Sequence, residues 1–181
     1  MPDIRLRQTE GCDPERVGLW DTVWSTEEGR GDWAMAGADE ADNIGGLRAT
    51  AALETAVVLC LFTDRRCPAD HPLAWLADGD RRGWWGDAVD VRADLGEAPL
   101  GSLLWLLERA PLDGETAMWA EAFAIEALQP LVDQKAVSKI EAVATARPEE
   151  DRLDLVVRLY GRDGSLVYDR KFDNIWAQVG R

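Results

Sequence analysis

The sequence predicts an α+β fold, in which two or three helices pack on one face of a C-terminal antiparallel β-sheet of about three strands. Apolar residues recur at helical spacing after Asp113, which indicates an amphipathic helix. Residues 153–160 alternate between apolar and polar side chains, as in a half-buried strand. The segment Gly161–Gly164 then predicts a hairpin turn that leads into a further strand.

Two helices are expected before Asp113. Residues 47–62 are rich in Ala and Leu, and the apolar half that ends at Phe62 predicts a buried helix. The run 56–62 also fits a central strand, so the type of this element stays open. Pro68 and Pro72 forbid its continuation. Residues 101–109 predict a second, short and strongly apolar helix.

The third predicted helix is the clearest in the chain. Asp113 has the side chain of a good N-cap. An apolar stripe follows at steps of three and four residues, which we interpret as the face that the helix buries. Its members are Met118, Ala122, Ile125, Leu128 and Val132, widened by Trp119 and Phe123.

The two ends of the chain differ in character. Residues 137–145, 153–160 and 166–172 are the predicted strands of the core domain, which spans residues 49–181. Residues 1–48 predict an irregular N-terminal arm with short β pieces. Its aromatic residues could pack on the core of this chain or on a neighbouring subunit, and the sequence favours neither; they are Trp20, Trp24 and Trp33.

Composition limits the possible functions. The chain has 181 residues, of which 46% are hydrophobic, enough for a sizeable core. Its net charge of −14 argues against binding to nucleic acid or to an anionic membrane. The cysteines, Cys12, Cys60 and Cys67, are odd in number and lack paired spacing, which indicates a reducing compartment. We expect synthesis in a cytoplasm, because the N-terminus has no apolar signal core.

The densest motif lies in the loop between the first and the second predicted helix. Two adjacent tryptophans stand among glycines and charges, and a similar charged segment precedes them. We expect carboxylates and guanidinium groups to form ion pairs across the two loops, and an arginine to stack on an indole. The tryptophans are expected either to fix the contact between the two loops or to anchor an interface with another protein. The candidate residues are Asp64, Arg65, Arg66, Asp80, Arg81, Arg82, Gly83, Trp84, Trp85, Gly86, Asp87 and Trp105.

Catalytic and metal chemistry find weaker support. His71 is the sole histidine of the sequence, and with Cys67 it could supply two metal ligands. Asp80 and Asp87 flank the tryptophans, as the two carboxylates of a glycosidase would. We favour an ordinary loop for Cys67 and His71. For Asp80 and Asp87 we favour local salt bridges. The sequence assigns no catalytic, cofactor-binding or metal-binding residue.

Three segments together carry a resemblance. Residues 53–66, 80–87 and 101–107 resemble, in this order, the motifs of the Mu-like phage tail protein family known as gene product forty-six. The acidic helix at 115–132 and the closing hairpin are also similar, so that the resemblance covers roughly residues 50–172. It extends distantly to the small baseplate wedge protein of contractile tails.

The resemblance implies a structural function. It implies a baseplate component of a contractile phage or prophage tail, which joins neighbouring subunits through strand edges and the Trp-rich loop. The implied partners are other tail proteins, with self-association possible and no nucleic acid, membrane or cofactor. The implied location is the virion, after assembly in the host cytoplasm. Because wedge relatives are sometimes described as lysozyme-like, a hydrolase acting on peptidoglycan is the alternative.

Overall fold

The computed structural model describes residues 22–25, 30–33, 35, 52–86, 89, 91–173 and 175. Within this part of the chain, a two-stranded antiparallel sheet is followed by two α-helices and then by a three-stranded antiparallel sheet. This order confirms the predicted α+β class. In chain order the elements are β1 (Thr22–Ser25), β2 (Arg30–Trp33), α1 (Ala52–Phe62), α2 (Gly114–Asp133), β3 (Lys139–Arg147), β4 (Arg152–Tyr160) and β5 (Leu166–Phe172).

The main sheet has the strand order β3–β4–β5, with both pairs antiparallel. Leu155 of the central strand lies opposite Ala144 on one side and Phe172 on the other. Alternate residues of β4 are buried against the helices, which confirms the predicted strand pattern. These residues are Leu153, Leu155, Val157 and Leu159.

Helix α2 begins where the sequence predicts, because the Thr116 N–H donates to Oδ1 of Asp113 at 3.0 Å. The predicted apolar stripe is correct for Phe123, Leu128 and the partly buried Trp119 and Val132, and it is wrong for three other residues. Met118 is 70% exposed and Ile125 40% exposed, and Ala122 is exposed beside them. The buried face instead consists of small residues with a few large ones, namely Ala117, Ala120, Phe123, Ala124, Ala127, Leu128 and Leu131.

The alanines explain this orientation. A helix can approach a sheet closely where its contacting residues are small, and close approach increases the number of contacts per residue. The inner surface of β3 is also lined by small residues, Ala142 and Ala144, which pack against the same core. Leu128 and Phe123 then fill the remaining space, at 0% and 2% exposure. Side-chain hydrophobicity alone therefore identified only part of the buried face and missed its alanines.

The structure decides the type of one further segment and corrects the type of another. The described part of α1 starts at Ala52 and is helical, so the alternative of a central strand is wrong. Residues 104–109 form a 3-10 helix rather than an α-helix, with Leu106 N–H donating to the Leu103 carbonyl at 3.0 Å. The preceding Ser102 already uses its backbone N–H and carbonyl in hydrogen bonds to residues 63 and 65, so that a regular helix does not start at residue 101.

The core contains two adjoining clusters. One joins α1, α2 and the sheet; the other joins α2 with the 3-10 segments at 74–77 and 104–109. In the N-terminal arm, β1 and β2 form an antiparallel pair, as the predicted short β pieces require, whereas Trp20 lies outside the described residues. No helix in the described part of the chain has the length and apolar character needed to cross a bilayer.

The orientation of α2 predicts how its residues respond to substitution. Leu128→Ala should lower the free energy of unfolding by about 2–5 kcal/mol, because it opens a cavity in the core. Met118→Gln and Ile125→Gln should each change it by less than about 0.5 kcal/mol, because both side chains already contact solvent. Urea unfolding followed by circular dichroism measures all three. A large loss for either glutamine variant would contradict this orientation.

Candidate functional site: a charged joint beneath a tryptophan loop

The end of α1 is joined to the segment before the 3-10 helix by backbone hydrogen bonds. The Ser102 N–H donates to the Thr63 carbonyl at 2.9 Å, and the Arg65 N–H donates to the Ser102 carbonyl at 3.0 Å. The Ser102 hydroxyl donates to the Leu61 carbonyl at 2.5 Å. Gly101 has a φ of 108°, and a Cβ at this position would collide with the Thr63 carbonyl. The approach of the two segments therefore requires glycine.

Trp105 fastens the same two segments through its side chain. Its indole Nε1–H donates to the Arg65 carbonyl at 2.9 Å, and the residue is 7% exposed. The guanidinium of Arg82 lies over the ring, 4.8 Å from its centroid. Trp105 thus connects the end of α1 with the loop that follows residue 80, and it gives that loop an apolar floor.

The contacts among residues 63–67, 80–82, 101–102, 105 and 108 form one unit, which we call the joint. Arg82 is its charged centre. Its Nη1 donates to Oδ2 of Asp64 at 3.1 Å, and its Nη2 donates to Oε2 of Glu108 at 3.2 Å. Its backbone has a φ of 44°, in the left-handed region, and its N–H donates to Oδ1 of Asp80 at 2.9 Å. Asp80 therefore supports the turn, while Asp64 and Glu108 hold the side chain.

Burial and charge act in opposite directions on this cluster. Burial alone would lower the pKa of Arg82, but Glu108 and Asp64 raise it above its ordinary value. For Glu108, the loss of water outweighs the attraction of Arg82, so that burial raises the pKa of its carboxyl group. Glu108 therefore loses more by leaving water than the ion pair with Arg82 returns to it. Asp64, which is more exposed, supplies the second negative charge.

Arg81 holds the other side of the loop. The Cys67 N–H donates to the Arg81 carbonyl at 3.0 Å, and Nε of Arg81 donates back to the Cys67 carbonyl at 2.6 Å. The Cys67 side chain is fully buried and its thiol donates to the Pro68 carbonyl at 3.3 Å. Burial raises the pKa of this thiol, although Arg81 opposes the effect. Cys67 is therefore a packing residue of the joint.

The two tryptophans at the tip of the loop have different environments. Trp84 is half-buried, and its ring lies against Gly86, where a Cβ would come within 2.5 Å of Cη2. Trp85 is 89% exposed and meets Trp84 edge to face, with 5.5 Å between ring centroids. Gly83 precedes them with a φ of 96°. One tryptophan thus packs within the loop, and the other faces solvent.

Of the ion pairs predicted between the two loops, the structure shows the one between Asp64 and Arg82. Arg65 instead pairs with Glu126 of α2 at 2.6 Å, and Glu108 of the 3-10 helix completes the Arg82 cluster. Arg66 is exposed, and Asp87 lies outside the described residues. Sequence analysis missed both glutamates among the 34 acidic residues, although one of them carried a signal. The adjacent Glu108–Arg109 pair beside buried leucines was the available signal.

The predicted alternative of two metal ligands at Cys67 and His71 finds no support in the described geometry. Nδ1 of His71 accepts a hydrogen bond from the Leu73 N–H at 3.1 Å. Its ring packs against Trp119 and Phe123, with centroids 5.8 Å and 5.5 Å away. With the Cys67 thiol turned to a carbonyl, both side chains serve local structure.

A small cavity adjoins the joint. It has a volume of about 40 Å³ and is lined by residues that include Asp64, Trp105, Glu108 and Leu153. This volume holds one or two water molecules, whereas small-molecule sites measure roughly 300–1,000 Å³. The two carboxylates at this cavity, Asp64 and Glu108, hold Arg82.

Comparison with known proteins supplies the family. Residues 53–166 match the model of the family described as Phage protein GP46. The chain belongs to this family. It is 37% identical to baseplate protein gp46 of Escherichia phage Mu over 145 residues, which cover 80% of this chain and 88% of the relative. No solved structure matches it.

A second GP46 relative is the Mu-like prophage FluMu protein gp46 of Haemophilus influenzae, with 31% identity over 125 residues. The match covers 69% of this chain and 79% of that relative. The resemblance indicated by the three sequence motifs is thus confirmed. The matched residues 53–166 include the whole joint, from Asp64 and Arg82 to Trp105 and Glu108.

The Arg82 cluster leads to a stability prediction. Arg82→Ala should lower the free energy of unfolding by about 1–3 kcal/mol, because it leaves Glu108 charged, largely buried and unpaired. Adding Glu108→Gln should recover part of this loss. The recovery should be small below pH 4.5, the ordinary pKa of a glutamate, and should grow as the pH rises through the raised pKa of Glu108.

Urea unfolding of the two variants at a series of pH values measures this recovery. The sign follows from the raised pKa, since such a carboxyl group favours the folded state while protonated and opposes it when ionised. Adding Glu149→Gln, which changes an exposed acid of the 148–150 turn, to Arg82→Ala is the control and should not recover the stability that Arg82→Ala loses. A recovery that does not depend on pH would contradict the assigned role of Glu108.

Proposed function

We propose that this chain is a structural subunit of a contractile phage or prophage tail baseplate. It joins neighbouring tail proteins through the loop that carries Trp85 and through the open edge of β5. Family membership supports the baseplate role, since the Mu relative is named a baseplate protein. Under this proposal the chain acts without catalysis, assembles in the host cytoplasm and resides in the virion tail.

The exposure of Trp85 on a firmly held loop is the observation that carries the proposal. A tryptophan that is 89% exposed leaves a large apolar surface in water. Arg81 and Arg82 hold the base of its loop, so that little conformational entropy is lost on binding. Exposed and preorganised aromatic residues of this kind are typical centres of protein–protein interfaces.

The edges of the main sheet differ in a way that favours β5 as the joining strand. On β3, the Ala144 N–H already donates to Oε1 of Glu121 at 2.9 Å. On β5, Leu166 and Val167 are 50% and 48% exposed, and no described strand pairs with its outer side. An unpaired edge with apolar side chains accepts an added strand from a partner.

The charge of the chain and the use of its carboxylates agree with an assembly role. The net charge of −14 keeps a free subunit soluble and favours partners with basic surfaces. Asp80, one of the two acids required by the hydrolase alternative, accepts the Arg82 N–H and so belongs to the turn. The function supported best is therefore adhesion between subunits.

Substitution at Trp85 tests the proposal in assembled tails. Trp85→Ala should leave the thermal unfolding midpoint within about 1 °C, because the side chain is in solvent, while the yield of complete tails should fall at least roughly tenfold. Trp75→Ala is the matched control, since Trp75 is also 70% exposed but stands outside the motif. It should change neither quantity. Electron microscopy counts tails, and calorimetry gives the midpoint.

A variant of the neighbouring tryptophan, Trp84, distinguishes a loss of the interface from a loss of folding stability. Trp84→Ala should destabilise the isolated protein by about 1–3 kcal/mol, because its ring fills the space above Gly86. Normal tail yield with Trp85→Ala would contradict the proposed interface. A loss of tails with Trp75→Ala as large as with Trp85→Ala would show that the motif has no special role.

A further inference from the structure

Helix α2 carries a second apolar stripe on the side that faces away from the core. Met118, Ala122 and Ile125 follow one another at steps of four and three residues, so they lie along one line of the helix surface. Met118 is 70% exposed and Ile125 40% exposed. Scattered exposed apolar residues are common, but a helical stripe of them forms a continuous surface.

The charged residues that α2 itself places beside this stripe are all acidic. Glu121 stands three residues after Met118 on one border, and Glu115 stands three residues before it on the other. The sequence of α2 contains no lysine, arginine or histidine. Among the described residues, Glu126 is the acidic residue of α2 that forms an ion pair, and its partner is Arg65. An occupant of the stripe would therefore meet apolar side chains bordered by negative charge.

Two observations narrow the kind of occupant. Glu121 already accepts the Ala144 N–H of the adjacent strand edge, so that the border of the stripe offers no free amide there for an added strand. A second copy of α2 would bring acidic residues against acidic residues, which costs free energy at an interface. A helix with basic residues along the borders of its apolar face satisfies both conditions.

We propose that the outer stripe of α2, formed by Met118, Ala122 and Ile125, docks an amphipathic helix of another tail protein whose apolar face is bordered by lysine or arginine. This inference rests on the proposed baseplate function. Helix-in-groove recognition uses anchors at three- and four-residue steps, as this stripe provides. Met118 adapts to different partner side chains, because its unbranched chain has several rotatable bonds.

Site-specific photocrosslinking in assembled tails tests the proposal. A benzophenone amino acid replaces Met118 or Ala122, and the tails are made from the genome that encodes this chain, with the variant as its sole copy. Leu95, which is 56% exposed and lies outside α2 in the 3-10 turn at 93–95, is the control position. Crosslinked peptides from purified and irradiated tails are then sequenced by mass spectrometry.

The expected product joins both stripe positions, and not position 95, to one segment of a different tail protein. That segment must show apolar residues at helical spacing with lysine or arginine at their borders. Crosslinks to this chain itself, to a segment with strand alternation or to an acidic segment would overturn the proposal. So would the absence of a crosslink when the variant chain is present in the tails.

Charge substitution supplies a second measurement. Ile125→Glu should leave the isolated protein folded and reduce its incorporation into tails at least roughly tenfold, because a carboxylate in the middle of the stripe would be buried against the apolar face of the partner helix. Ile125→Leu should keep incorporation near the wild-type amount, and Leu95→Glu should do the same. Normal incorporation of Ile125→Glu would overturn the docking proposal. If the wild-type chain is missing from purified tails, the baseplate function itself fails.

Discussion

The contact between residues 63–65 and Ser102 is the constraint on which the rest of the described structure depends. Two backbone hydrogen bonds and the Ser102 hydroxyl fix the end of α1 to the start of the 3-10 helix. The closeness of the two segments requires Gly101, whose φ of 108° disfavours other residues. Once these segments are joined, Trp105 reaches the Arg65 carbonyl and forms the floor for Arg82. The position of the tryptophan loop follows from this sequence of contacts.

The joint gives the acidic chain a rigid surface to present. Arg82 neutralises Asp64 and Glu108 where they approach each other, and Arg65 neutralises Glu126 on α2. These ion pairs are partly buried, so they fix geometry more than they add stability. The exposed features, Trp85 and the stripe on α2, then stand on supported elements. Binding through such preorganised features requires little ordering of the chain.

Sequence patterns predicted the elements whose signals are local. The alternation along β4, the Gly161–Gly164 turn and the Asp113 cap each depend on neighbouring residues, and the structure confirms them. The orientation of α2 could not be predicted in this way. Its helix has two apolar stripes, and the choice between them depends on how closely alanines can approach the sheet, which is a property of the packed core.

The joint was predicted only in part for a similar reason. The sequence indicated that the charged residues of the two loops pair, and Asp64 with Arg82 is one such pair. It could not supply Glu108 or Glu126, because their positions follow from the arrangement of the helices. It likewise gave no means of distinguishing Trp84 from Trp85. Their difference arises from the left-handed turn at Arg82 and Gly83, which directs one ring onto Gly86 and the other to solvent.

Native-state hydrogen exchange of the isolated protein tests the central role of the joint most directly. The amides of Arg65, Ser102 and Cys67 are all hydrogen-bonded within it. If the joint fixes the loop, these amides should exchange with the same high protection as core amides of β4, through global unfolding. Exchange at the fast rates of surface loops, with the core still protected, would show that the tryptophan loop moves independently and would contradict this account.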